Sequence, residues 1–326
     1  MVPLSGCVVT ARSYGLPEQE ISLEDDQELT SSTAALPGDL INQAATSTPD
    51  EITEIEKIVE ALSCGENFCQ TDWTGWLARP FTYPDRERID LTYPYASTGD
   101  GSLAIHHGVE FPNPHGTLIH ASAQGEVIYA GTDDEGFIGP YNNFYGNVVI
   151  IRHPGLFNGE DLYALYGHLS SIEVSQGEHI GIGDILGRVG ASGVAGGSHL
   201  HFEVRYGLND YAHSTNPVLW FSPLTNQSTG ETGSLAGIIV DRYGNPVWEA
   251  AVTLQKLNEN GQVEKTYYFM TYAQEGTNPH PALGENFTLP DLPPGDYRLS
   301  FVAGKLYEVF FTLDPGMLGF INLCVN

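Results

Sequence analysis

The chain has 326 residues, of which 41 are acidic and 13 basic, giving a formal net charge of −28 at pH 7. That balance repels phosphate backbones and anionic lipid, which argues against nucleic acid as a partner. No apolar run is long enough to span a bilayer. With 41% apolar residues, 37 Gly and 20 Pro, and few helical periods, the chain is expected to be mainly β, with two domains and a tail.

In chain order, residues 4–7 come first. Leu4-Ser5-Gly6-Cys7 resembles the lipobox of bacterial lipoproteins, whose cysteine is lipidated after cleavage, without the charged and apolar regions that should precede it. A lipid anchor at Cys7 is the one membrane attachment the sequence offers. Residues 1–63 carry 12 acidic and 2 basic side chains, and residues 1–48 read as a disordered acidic tether.

Residues 49–71 are expected to form a short helix and a cysteine loop. In "TPDEITEIEKIVEALSC", Thr48 is placed as N-cap, Pro49 at the first helical position and Glu51 as the partner in a capping box. Ile52, Ile55, Val59 and Leu62 make one apolar stripe, expected to pack on the domain that follows. Cys64 and Cys69 could close a small disulfide loop in an oxidising compartment or remain two thiols. No CxxC pair exists, which argues against a cysteine-based zinc knuckle.

Residues 72–224 read as short strands and Gly-rich turns, among them "GEVIYAG", "GNVVIIRH", "DLYALYGHLS" and "HLHFEVR". "GEHIGIGDILGRVG" resembles a lipoyl-carrier hairpin but has no Lys at its turn, so it reads as scaffold. Residues 225–234 are a linker by composition. Residues 235–326, with evenly spaced turn signals and a "LPPGDYRL" turn, read as a small β-sandwich. This part resembles carboxypeptidase-regulatory-like, immunoglobulin-type modules. It shows no cluster of catalytic residue types, so a binding or spacer role is expected.

The chemistry concentrates in "GSHLHFEVRYG". Side chains alternate along a strand, so His199, His201, Glu203 and Arg205 share one face, and Leu200, Phe202 and Val204 the other. A half-exposed antiparallel strand would show the same pattern. Two further stretches weigh against that plain reading. "IHHGVEFPN" sets His106 and Glu110 four apart with Gly108 between them, and "LYALYGHLS" supplies His168. A catalytic zinc needs three N or O ligands and an open position. His106, Glu110 and His201 supply that set, leaving His168 and His199 to take a proton and steady an oxyanion. Glu203 and Arg205 read either as a pair orienting His201 from behind or as an exposed ion pair. Tyr93 and Tyr95 are packing residues or an oxyanion donor. His107 should point away from the site, and His120 and His213 are the remaining histidines with a chance of lying near it.

"HHGVEF", "YGHLS" and "GSHLHFEV" resemble, in this order, the three signature motifs of lysostaphin/LytM-type zinc endopeptidases of peptidoglycan, over roughly residues 78–221. The resemblance implies an antiparallel two-sheet peptidase domain with a substrate groove, and one Zn2+ per chain. It matches His106 and His201 to zinc-binding histidines, and His168 and His199 to catalytic, non-ligand histidines. Glu110 falls where the family has Asp, one methylene shorter. Peptidoglycan stem or bridge peptides are the implied substrate, in the extracellular space or cell envelope, and a monomer is expected. The alternative is a wall-binding or hydrolase-activating protein on the same fold that is weakly active or inactive, for which the Glu110 substitution is the sequence support.

Overall fold

A computed structural model describes residues 53–62, 67–134, 138–226, 230–273 and 276–326. One helix, α1 (Glu54–Ala61), is followed by β1 (Phe68–Asp72), β2 (Val109–Phe111), β3 (Leu118–His120), β4 (Gly125–Thr132), β5 (Asn147–Phe157), β6 (Glu160–Ile172), β7 (His179–Ile180), β8 (Ile185–Val189), β9 (Leu200–Tyr206) and β10 (Ser214–Thr215). Then come β11 (Thr225–Asn226), β12 (Gly230–Glu231), β13 (Gly233–Asp241), β14 (Ala251–Leu257), β15 (Val263–Met270), β16 (Phe287–Leu292), β17 (Gly295–Ala303), β18 (Lys305–Leu313) and β19 (Met317–Val325). The mainly β, antiparallel class expected for the middle of the chain is what the structure shows.

Helix α1 starts later than the sequence reading placed it. Its N-cap is Thr53, whose hydroxyl accepts from Glu56 N–H at 3.1 Å while the Glu56 carboxylate accepts from Thr53 N–H at 2.8 Å. Thr-x-x-Glu occurs twice here, and the reciprocal bonds form on the second copy. Thr48, Pro49, Glu51 and Ile52 lie outside the described residues. Among its described side chains, Ile58 and Leu62 pack on a small cluster of Trp73, Leu219, Ala236, Leu283 and Leu318, and Ile58 also touches the larger peptidase-side core; the side chains of Ile55 and Val59 lie outside those described. Cys69 and Cys324 are each disulfide-bonded, and not to one another, since β1 sets Cys69 opposite Phe320 rather than Cys324. Cys7 and Cys64, and with them the lipobox and the expected Cys64–Cys69 loop, lie outside the described residues. No described helix is long and apolar enough to cross a membrane.

Strands β2 to β10 form one hydrogen-bonded network, with path β10-β9-β6-β5-β4-β7, β2 paired to β9, and β8 joining β3 to β6. Strand β6 is the shared element. Its residues 162–167 pair with β9 and residues 169–172 with β8. Between the two ladders sits His168, at φ +63°. Left-handed backbone on a residue with a Cβ is rare and marks a bend fixed by its surroundings. The core beneath holds Val109, Phe111, Tyr166, Leu200, Phe202 and Val204, all fully buried.

The C-terminal domain stacks the sheet β1-β19-β13-β16 on the sheet β15-β14-β17-β18 around Leu235, Ile239, Leu254, Phe287, Leu299 and Ile321. Two boundaries differ from the sequence reading. Strand β1, expected in a separate segment over 49–71, is an edge strand of this sandwich. It runs antiparallel to β19 from Phe68↔Ile321 to Asp72↔Met317, and Phe68 stacks on Phe311 at 4.4 Å. The peptidase domain is thus inserted after the sandwich's first strand. "FCQTD" carries no apolar alternation, so only the partner strand reveals it. The 225–234 stretch is not an open linker: β11 pairs with β12, and buried Thr232 donates its N–H to Leu224 O at 2.9 Å.

Candidate metal centre

Strand β9 is buried on both faces. Leu200, Phe202 and Val204 enter the core as expected, and His201, Glu203 and Arg205 on the other face are also buried, at 4%, 0% and 1% exposure. The cover over that face comes from β2, the loop before β5 and the turn after β9. In register, Glu110 on β2 lies directly opposite His201 on β9, so the two side chains share one face as cross-strand neighbours. Gly108 makes this approach possible. A Cβ there would lie 2.6 Å from Phe202 O and 2.8 Å from His201 Nε2.

His106, Glu110 and His201 converge, each with one ligand-type atom within 4.8 Å of the others'. Glu110 Oε1 is 2.9 Å from His106 Nε2 and 3.0 Å from His201 Nδ1, and the two nitrogens are 3.3 Å apart. The outer nitrogens decide which atoms face inward. His106 Nδ1 donates to Tyr93 O at 2.7 Å, leaving the Nε2 lone pair turned to the centre. His201 Nε2 donates to Glu203 Oε1 at 3.1 Å, leaving Nδ1 turned the same way. A proton or a metal ion shared at this centre holds the two nitrogens and the carboxylate oxygen together at such distances. The other oxygen, Glu110 Oε2, faces a further imidazole, that of His199. The donor set and its geometry fit a mononuclear metal ion.

Glu203 is held in turn. It accepts from Arg205 Nη2 at 3.0 Å and Nε at 3.1 Å, and from the Tyr145 hydroxyl. Arg205 also donates to Ile138 O at 2.8 Å and to Tyr145 Oη at 3.2 Å. The pair is therefore a buried brace behind His201, and the exposed ion pair is ruled out by its burial. Tyr145, in a stretch that reads from sequence as a turn, is the member of this brace that sequence reasoning missed; "FYGN" carries no signal for it.

His168 and His199 stand beside the three, with ring centroids 4.9 Å apart. His168 Nδ1 donates to Ser192 O at 2.8 Å and His199 Nδ1 to Gly197 O at 2.9 Å, so both present Nε2. His199 Nε2 lies 3.0 Å from Glu110 Oε2. Burial holds His168 down at about 4, so its imidazole is neutral at neutral pH. Burial also presses on Glu110, but the imidazoles of His201, His106 and His199 outweigh it and keep the carboxyl well below its usual range. For His201 burial is likewise outweighed, here by Glu110 and Glu203, which lift it to about 10. The pocket favours positive charge.

The other candidates fall elsewhere. His107 turns away, bonding Ser214 Oγ at 2.7 Å and stacking on Tyr211. His120 bonds Gly183 O and His213 bonds Asp210, and neither joins the cluster. Tyr93 stacks on the His106 ring at 4.2 Å and its hydroxyl donates to Ala104 O, while Tyr95 donates to Ser214 O. Both hydroxyls are thus engaged in holding structure.

A largely buried His-Glu-His set, with two further imidazoles beside it in an antiparallel β domain, has the donor chemistry of a metal centre. The domain that carries it is a peptidase family M23 domain: residues 104–217 match that family's model. The DD-carboxypeptidase/endopeptidase Mpg of Neisseria meningitidis is 38% identical over 101 residues, which are 31% of this chain and 20% of that protein. The murein hydrolase activator NlpD of Salmonella dublin is 30% identical over 111 residues, 34% of this chain and 25% of that protein. The solved catalytic domain of the prophage-encoded M23 protein EnpA from Enterococcus faecalis is 28% identical, covering 48% of this chain and 94% of that one at a TM-score of 0.28. The chain spans about a fifth of the length of curated relatives such as Mpg.

Proposed function

We propose that this chain is a zinc-dependent endopeptidase that hydrolyses peptide cross-links of bacterial peptidoglycan in the cell envelope or outside the cell. The observation that carries the reading is the convergence of His106, Glu110 and His201 in an M23 domain, with two further imidazoles beside them. In this reading those three residues hold one Zn2+, which when bound polarises the scissile carbonyl and makes a water acidic enough to attack at neutral pH. The longer Glu110 is accommodated, because its Oε1 already reaches both imidazole nitrogens. Tyr93 O and Glu203 fix the two ligand rings in the tautomer that turns a lone pair inward. His168 and His199, their Nδ1–H groups tied to backbone carbonyls, each offer Nε2 to accept a proton or to donate to a developing oxyanion. Two disulfide-bonded cysteines suit the same compartment.

The test uses the full chain. Purified protein should bind about one zinc, clear a suspension of purified walls and stop when chelator removes the metal. His168→Ala should keep the zinc and lose hydrolysis. The similarity to the activator NlpD favours a second reading, a wall-binding protein that activates other hydrolases. It predicts wall binding with no released peptide from any defined cross-link, and that result would displace the first reading.

A further inference from the structure

The described part of the connection between β15 and β16 leaves the sandwich and lies on the peptidase domain. Tyr272 and Ala282 from it belong to the peptidase core. Two of its backbone groups reach the segment 93–97: Ala273 N–H donates to Ala96 O at 2.9 Å, and Asn278 N–H donates to the Tyr95 hydroxyl at 3.0 Å. That same segment holds His106. Ala96 N–H donates to His106 O at 2.8 Å, His106 N–H donates to Ser97 O at 3.0 Å, and Tyr93 O takes the ring Nδ1–H. Ala96 is buried at φ +61°. A left-handed non-glycine residue persists only where its surroundings fix it. Here one backbone group of Ala96 is tied to His106 and the other to the C-terminal domain.

The connection also reaches β10, the neighbour of the strand that carries His201. Asn278 Nδ2 donates to Ala212 O at 2.7 Å and to Ser214 O at 2.9 Å, and Ser214 O also accepts from Tyr95. Ser214 starts β10 and pairs with Arg205 on β9, the strand that carries His201.

We propose that the C-terminal sandwich is a working part of the peptidase centre rather than a separable spacer, with Asn278, Ala273 and Tyr95 as positioning residues that set His106 and β9. The contact rests on backbone and side-chain bonds at both ligand-bearing segments. It depends on the zinc reading only for its zinc and turnover readouts.

Three full-length variants test it: Asn278→Ala, Tyr95→Phe, and Tyr268→Ala, which is 80% exposed on the outer sheet of the same domain. Amide hydrogen exchange over residues 93–107 is measured in zinc-free protein. Zinc affinity is measured against a competing chelator, and kcat and KM on a short soluble stem peptide. The first two variants should each speed exchange at the His106 amide about tenfold, weaken zinc roughly tenfold, and lower kcat with little change in KM. Tyr268→Ala should do none of these. Unchanged exchange over 93–107 in both variants, or an equal change in Tyr268→Ala, overturns the proposal. So does an effect confined to KM on insoluble walls, which is the signature of a tethered binding module. Should Asn278→Ala unfold, with protection lost in β5 too, Tyr95→Phe decides, since it removes one hydroxyl and keeps the ring. Wild-type protein that binds no zinc would refute the zinc reading, while the exchange result would still judge this one.

Discussion

Glu203→Gln separates the brace behind His201 from the rest of the fold. The substitution keeps the size of the side chain and removes its charge. Glu203 is fully buried and faces three donors, His201 Nε2, the Arg205 guanidinium and the Tyr145 hydroxyl. Arg205 is 1% exposed, and its other acceptors, Ile138 O, Tyr145 Oη and Asn209 Oδ1, are neutral. Removing one member of a buried ion pair leaves the other charge uncompensated, at a cost of about 3–5 kcal/mol. For a domain of this size that lowers Tm by roughly 6–20 °C. His201 also loses a charged acceptor for Nε2–H, which should weaken zinc by about 10–100-fold. Thermal unfolding of the zinc-free protein reads the first effect, and chelator competition the second. The double variant Glu203→Met, Arg205→Met should recover most of the stability, because an apolar pair of similar volume replaces both charges. It should not recover the zinc affinity. A loss below about 1 kcal/mol in Glu203→Gln, with zinc affinity intact, would refute the reasoning.

Gly108→Ala should abolish zinc binding, because its Cβ would press on Phe202 O at 2.6 Å and on the His201 ring, and backbone cannot yield cheaply; zinc stoichiometry checks it. Glu110→Ala should reduce bound zinc and Glu110→Asp should leave turnover equal or higher; unchanged zinc in the alanine variant would place the carboxylate ligand elsewhere. Glu285 tests pH. Burial lifts its carboxyl to about 8, facing His280 N–H and the Tyr272 hydroxyl, with Tyr95 nearby and His280 itself neutral. A folded value above the ordinary one means the fold favours the protonated form. That contribution is complete below about pH 4.5 and is lost as pH rises towards 8, by about 5 kcal/mol across the window. Glu285→Gln should remove this slope, measured by urea unfolding at pH 5 and pH 8; equal slopes in both proteins would contradict it.

The site was legible to the extent that it is local. Strand alternation put His199, His201, Glu203 and Arg205 on one face, and the four-residue step from His106 to Glu110 across Gly108 lies within one short turn and strand. These depend on backbone geometry between near neighbours. The cap of α1 was legible only as a type, since two Thr-x-x-Glu copies carry the same local signal and the contacts of Ile58 and Leu62 are not local.

By itself, then, the sequence determined which residues could bind a cation and which face of a strand they occupy. Tertiary structure decided that the face is buried, that Glu110 stands opposite His201, and that Glu203 and Arg205 are a brace rather than a wet surface pair. It also decided that β1 belongs to the C-terminal sandwich and that this sandwich reaches back to Tyr95 and Ala96. The physical reason is that a side chain's direction follows from a few adjacent dihedrals. What covers it depends on pairings between residues 58 or more positions apart, whose register no local pattern carries.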